Sequence, residues 1–291
     1  MEAQANEATF RRRDVTSASL SGPLRALLSV TAVIFLGLGA VLFLAPTWAV
    51  SRFPFESSAF AVMTAGSWFL GGAFVAWQAS RDRSWSLVYP GIVFIASFSV
   101  LESIVLLMHA GDALGSVLTW LYMGALVVGV VTTGAAVVEW MRIRASAQPV
   151  GEPVAMWVRA LTALFLAFDL RIAVPLTLGL TRGGRIWPGA LSEPMGRAFG
   201  AFYLAIAMSV VPVLFAKRNG PALWLMPAAI VGSILITTPA IVYLELFDFE
   251  SKPGGFVYIG TYLLVLVVAA VGLALHRRTD TSRASALRAN H

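Results

Sequence analysis

The chain has 291 residues, of which 58% are hydrophobic and only 12% charged, with a mean hydropathy of +0.79; soluble domains carry about twice that share of charge. A soluble one- or two-domain protein is excluded, and the bilayer is the solvent. No cysteine is present, which removes disulfides, thiolate metal sites, iron–sulfur clusters and cysteine nucleophiles, and the net charge of +6 reports membrane orientation before it reports nucleic acid.

Apolar runs of about 20 residues, enough to cross roughly 30 Å of hydrocarbon, recur along the chain. A polar segment, residues 1–22, leads into the first run at 27–45. Its Arg11-Arg12-Arg13 can imitate a secretory or twin-arginine signal, but a counterpart of this run in mid-chain argues for a retained span. Pro46 to Pro54 forms the first connector. The second span is 60–79, followed by Arg81-Asp82-Arg83, and the third, 87–108, carries Glu102. After Ala110-Gly111-Asp112, the fourth span, 117–140, sets Ala125, Gly129 and Thr133 four residues apart, a spacing that lets helices approach closely. Ala145 to Pro153 is the central linker. The fifth span, 157–180, holds Asp169, Arg171 and Pro175, and ends at the turn Gly183-Gly184. The sixth, 196–215, begins with Arg197 and carries Gly196 and Gly200; the seventh, 222–246, ends on Glu245; the eighth, 256–275, runs into a polar tail at 277–291. The predicted fold is an all-α bundle of eight transmembrane helices.

Lys and Arg set the orientation. Fifteen fall in the two tails and the connectors on their side, five in the opposite connectors, and Arg171 lies within a span. The bias predicts that both termini are cytoplasmic in the plasma membrane, and the even number of spans agrees.

The chain also repeats itself. Phe53-Pro54 matches Trp187-Pro188, and Gly66-Ser67-Trp68-Phe69-Leu70 matches Gly200-Ala201-Phe202-Tyr203-Leu204, both 134 residues apart. Two inserted residues align Arg81-Asp82-Arg83 with Lys217-Arg218-Asn219, one more aligns Tyr89-Pro90 with Met226-Pro227, and Gly124 matches Gly260. The spacing predicts two four-span units, 23–141 and 157–276, separated by the linker 142–156 and flanked by the tails 1–22 and 277–291. Because four is even, the copies are parallel and related by an axis along the membrane normal.

The stretch Trp187-Pro188, Pro194, Arg197, Gly200, Tyr203-Leu204 resembles a segment of uncharacterised multi-pass membrane proteins of GC-rich bacteria. The first half departs from it, with Met63 where the arginine falls. The resemblance implies no activity.

No phosphate loop, zinc helix or paired Asp-rich motif is present, and with His276 and His291 at or beyond the last span a bis-histidine haem is out of reach; no cofactor is expected. Ionisable residues inside spans are what remains, since each is costly at mid-membrane and turns toward the protein interior. They are Glu102, Asp169 and Arg171, with His109, Arg197 and Glu245 near the outer ends, while Glu139 and Arg159 sit close enough to the interface to snorkel. Glu102 and Arg171 lie at similar depth and are expected to pair between the copies. Asp169 is about 200° around the helix from Arg171 and needs a different partner. Arg197 and Glu245 map onto Met63 and Met108, a joint replacement that predicts an outer-side pair, with Arg197–Glu193 at i, i+4 as the alternative.

Three functions fit: a transporter or channel-like protein with a polar path lined by Glu102, Asp169 and Arg171; an integral-membrane enzyme using a buried carboxylate on a lipid or isoprenoid; and a non-catalytic subunit that docks a partner. The expected partners are the lipid bilayer and another membrane subunit or a second copy, and not nucleic acid. A closed bundle favours docking, a cavity open to water favours transport, and one open to lipid favours the enzyme.

Overall fold

A computed structural model of the chain describes residues 19–109, 115–144, 148–181, 186–188 and 191–289, with the backbone alone for 277–289. The Arg11–Arg13 motif, the turns at 110–112 and Gly183-Gly184, and Arg182 and Arg185 of the charge count lie outside the described residues. Among the described residues, eight helices are long and apolar enough to span a membrane. They are α1 (Gly22–Leu44), α3 (Ala59–Arg81), α4 (Trp85–Met108), α5 (Val117–Ile143), α6 (Met156–Thr177), α7 (Glu193–Phe215), α8 (Gly220–Val242) and α9 (Gly254–Ala289); a short α2 (Pro46–Val50) follows α1. The protein is a multi-pass all-α membrane bundle.

Helix starts are set by caps that apolar periodicity does not register. Ser21, Ser58, Ser116 and Ser192 each accept a hydrogen bond from a backbone N–H of the first turn of α1, α3, α5 and α7, satisfying donors that a helix leaves unpaired. This moves several starts toward the N-terminus of the predicted spans. Two ends also differ from the sequence reading. Helix α8 stops at Val242, just after Pro239, and Leu244–Leu246 form a separate 3-10 turn that carries Glu245 out of the span. Helix α9 runs on through the polar tail to Ala289, where Ala, Arg and Leu support helix and no proline interrupts it.

Helices of the first half form a closed square. α1 packs on α3 and α5, and α4 packs on α3 and α5. α1 and α3 approach closely backbone to backbone at Gly66, where an added Cβ would lie 2.6 Å from the Phe43 backbone nitrogen. Phe35, Phe69, Phe98 and Tyr122, all essentially unexposed, fill the middle: Phe35 meets Phe69 and Phe98 edge-on with centroids 5.1 and 6.1 Å apart, and Phe69 meets Tyr122 at 5.2 Å. In the second half α6 packs on α7 and α8 on α9, whereas among the described residues α6 and α9 share at most a marginal contact, as do α7 and α8. The halves meet through α4 on α7, α3 on α8 and α4 on α8. Gln78 donates from its Nε2 to the Trp224 carbonyl (2.7 Å), and Trp224 donates from Nε1 to the Asp82 carboxylate (2.8 Å), which ties the end of α3 to the start of α8. Lipid-facing surfaces carry Val33, Leu36, Leu164 and Leu264, all well exposed.

Candidate functional site

Asp169 sits on α6, about 20 Å from the start of a helix about 33 Å long, and is only 2% exposed. Its Oδ2 has no hydrogen-bond partner. The side chain lines a cavity of about 190 Å³ with Phe168 and Ile172 of α6, Tyr203 of α7, Ser233 of α8, and Tyr258 and Tyr262 of α9. Trp68 and Gly71 of α3 and Phe94 of α4 close the inner wall. The outer edge is the gap between α6 and α9, with Phe165 on one side and Thr261 and Val265 on the other. The cavity therefore opens sideways, toward hydrocarbon.

One carboxyl group stands in a largely apolar chamber of aliphatic and aromatic side chains with a few hydroxyls. Tyr203 and Tyr262 share a hydrogen bond of 2.6 Å between their hydroxyls, and Tyr258 meets Tyr262 edge-on at 5.3 Å. Trp68 stacks on Phe202 at 4.7 Å. Ser67 donates to the Leu235 carbonyl across the seam (2.8 Å), fixing α3 against α8 beside the chamber. An unpartnered buried acceptor is costly, and cavities rimmed by convergent polar groups are the usual ligand sites of helical membrane proteins.

Glu102 lies elsewhere. It is 0% exposed on α4, accepts a 2.8 Å hydrogen bond from the Tyr122 hydroxyl, and leaves Oε1 unpartnered. Phe53, Phe55 and Phe69 surround the Tyr122 ring with centroids 5.6, 6.2 and 5.2 Å away, so this acid belongs to the packed first half. Arg171 does not meet it. Arg171 is exposed on the outer face of α6 and makes no ion pair among the described residues. Six residues, about 9 Å, separate it from the end of α6, within reach of the interface for a snorkelling arginine. Similar depth was a necessary condition for the Glu102–Arg171 pair and not a sufficient one: α6 packs along α7, not α4.

Arg197 and Glu245 do not meet either. Arg197 pairs with Glu193 one turn away at 2.8 Å and packs under Gly179, whose φ of +69° ends α6; a Cβ there would lie 2.8 Å from the guanidinium. Glu245 is exposed on its 3-10 turn. Asp169 and Arg171 lie on different faces of α6, as their spacing requires, but Arg171, expected to line the interior, is the one turned outward. Glu139, expected from its position to snorkel, is instead buried at 6% exposure, pairs with Arg142 at 2.7 Å and accepts from the Ser21 backbone N–H at 3.2 Å, joining the start of α1 to the end of α5.

Sequence reasoning missed Tyr203, Tyr258 and Tyr262 as site residues. Their signal was present: they are tyrosines at positions that place a hydroxyl in the interior of apolar spans. Comparison with protein-family models, curated proteins and solved structures returns no match. No group of three or more His, Asp or Glu side chains able to hold a metal occurs among the described residues.

Proposed function

We propose that this membrane protein takes a lipid-soluble molecule from the bilayer into the chamber around Asp169 of its second half, a lateral access that disfavours a water-open transport path and favours a protein that binds or acts on molecules dissolved in the bilayer. The observation that carries the reading is the gap between α6 and α9, which leaves the chamber open to the side where α1 and α5 of the first half pack together.

The reading includes a duplication, with units 23–141 and 157–276. Contacts recurring at a spacing of 134 support it. Leu20 donates its backbone N–H to the Arg83 carbonyl, and Val154 to Lys217; the isolated bridge Ser19–Ser84 has its counterpart in Pro153–Arg218. Gly66 crowds the Phe43 nitrogen, and Gly200 crowds the Thr177 nitrogen at 2.4 Å. Ser58 and Ser192 cap corresponding helices. The spacing holds through Lys217 and Arg218, so the extra residues fall after that contact and not before Lys217, as the charge alignment had it. On this register Asp169 corresponds to Phe35 and Tyr203 to Phe69. The first copy is plugged by a phenylalanine pair; the second has an acid and a phenol in the same places. One copy is scaffold and the other is site.

Both termini are cytoplasmic in this reading, on the fifteen-to-five basic bias. Reporter fusions at Arg83 and in the 109–116 connector should give opposite signals.

A second reading has its own support. A lateral opening and the Asp169 carboxyl group beside the Tyr203–Tyr262 pair also suit an enzyme in which Asp169, in its protonated acid form, gives a proton to a lipid and is reprotonated from water; turnover of a bilayer lipid by purified protein, lost in Asp169→Asn, would favour it. The binding experiment comes first. In nanodiscs of zwitterionic lipid, an environment-sensitive apolar fluorophore should bind saturably to the wild type. Gly232→Phe should abolish that binding, because Gly232 lines the chamber and has nothing within 4 Å of an added Cβ. Equal binding to both proteins would overturn the reading.

A further inference from the structure

We infer that the occupant of the chamber is an amphiphile with a cationic, amine-type head, held by Asp169 and the surrounding aromatic faces, with its apolar tail lying in the gap between α6 and α9. This rests on the proposed lateral binding site and narrows its ligand class.

Charge complementarity is the first argument. Among the described residues, Asp169 is the one acidic side chain of the chamber wall, and no Lys, Arg or His lines it. An anionic head, such as a carboxylate or phosphate, would find no cation to pair with among the described lining residues, whereas an ammonium stabilises the ionised form of the carboxyl group it pairs with. The nearest arginine in sequence, Arg171, points out of the bundle and does not neutralise Asp169. A carboxylate buried to 2% exposure with a free oxygen is offered to whatever enters, and an ammonium group supplies both the missing donor and the missing charge.

The aromatic wall is the second argument. Trp68, Phe202, Tyr203, Tyr258 and Tyr262 present ring faces and edges within one chamber. Ring faces attract cations, and clusters of them are a recurrent way to hold an ammonium. A neutral alcohol would gain a hydrogen bond to Asp169 and nothing from the ring quadrupoles.

Size is the third. A chamber of about 190 Å³ is smaller than the pockets of roughly 300–1,000 Å³ that enclose whole drug-sized ligands. It takes a head, and the tail must leave by the open side. That side is lined by Phe165, Thr261 and Val265 and faces lipid tails, so an alkyl chain there stays in hydrocarbon and costs no exposure to water.

The test compares three molecules with the same chain, dodecylammonium, dodecanol and dodecanoate, as competitors of the bound apolar fluorophore in zwitterionic nanodiscs at neutral pH, scaled to their membrane concentrations. Dodecylammonium should displace the fluorophore at roughly 10- to 100-fold lower membrane concentration than dodecanol, the range that loss of a charge-assisted hydrogen bond spans, and dodecanoate should be weakest. Asp169→Asn should erase the preference for the ammonium, bringing dodecylammonium and dodecanol to similar displacing concentrations, while a cooperative thermal melt and a monodisperse elution profile show that the variant is folded. Equal displacement by all three, or a preference that survives in Asp169→Asn, would overturn the cationic head and leave the binding site standing. Failure of the wild type to bind the fluorophore would instead defeat the site itself.

Discussion

On the proposed duplication, replacing Asp169 by phenylalanine copies into the second half the residue that fills the first. Phe35 is fully buried and packs edge-on against Phe69, and residue 203, which corresponds to Phe69, is already aromatic. The substitution removes a buried oxygen without a partner, worth about 1–3 kcal/mol. It also fills part of a cavity of about 190 Å³ with a ring whose burial is worth about 1.5–3 kcal/mol from water and less from lipid, where only packing is gained. Asp169→Phe should therefore stabilise the protein by ~2–4 kcal/mol. The reverse change, Phe35→Asp, should destabilise it by more than ~3 kcal/mol, because it empties a filled core and buries a carboxyl there. Thermal unfolding in mild detergent, followed by circular dichroism, checks both: a rise of several degrees for Asp169→Phe at about 2 °C per kcal/mol, and a large fall for Phe35→Asp. If Asp169→Phe falls as far as Phe35→Asp, the acid is holding the fold together and the chamber is not a site.

Three further outcomes follow from contacts outside the chamber. Gly200→Ala should cost ~1–3 kcal/mol by forcing α6 from α7, since its Cβ would lie 2.4 Å from a backbone nitrogen, whereas Gly124→Ala, with open space around it, should be neutral or slightly stabilising in the same melt. Tyr122→Phe should cost ~1–3 kcal/mol by leaving Glu102 with no partner, and adding Glu102→Met should recover part of that loss, a non-additivity that a double-mutant cycle reads directly. Arg171→Ala should change unfolding by less than ~0.5 kcal/mol, because the side chain is exposed and makes no ion pair among the described residues.

Spans and buried acids were legible because they depend on local quantities. Hydropathy and length located the eight spans, and the angular separation of Asp169 and Arg171 put them on different faces of one helix without settling which faces inward: Arg171, expected in the interior, is the one turned outward. Pairings between helices were not legible. Glu102 was matched to Arg171 by depth alone, but which helices touch depends on tertiary packing, and a tyrosine twenty residues away on the next helix supplies its partner instead. Arg197 and Glu245 were matched by joint substitution; the position of Glu245 turned on where α8 ends, and a 3-10 turn after Val242 moved it out of reach. The chamber itself follows from a helix–helix contact that one half makes and the other lacks. No composition or periodicity carries that, although the exchange of Phe35 for Asp169 at one register marks the spot.

The most direct test of lateral entry maps where a lipid-soluble photoreactive probe, dissolved in the bilayer of liposomes holding the full-length protein, attaches on illumination. Mass spectrometry should find saturable labelling on the chamber wall, at Asp169, Tyr203, Ser233 and Tyr258, suppressed by excess apolar competitor and absent from Gly232→Phe. Labelling confined to the outer faces, around Leu36, Leu164 and Leu264, and alike in the wild type and Gly232→Phe, would contradict the account.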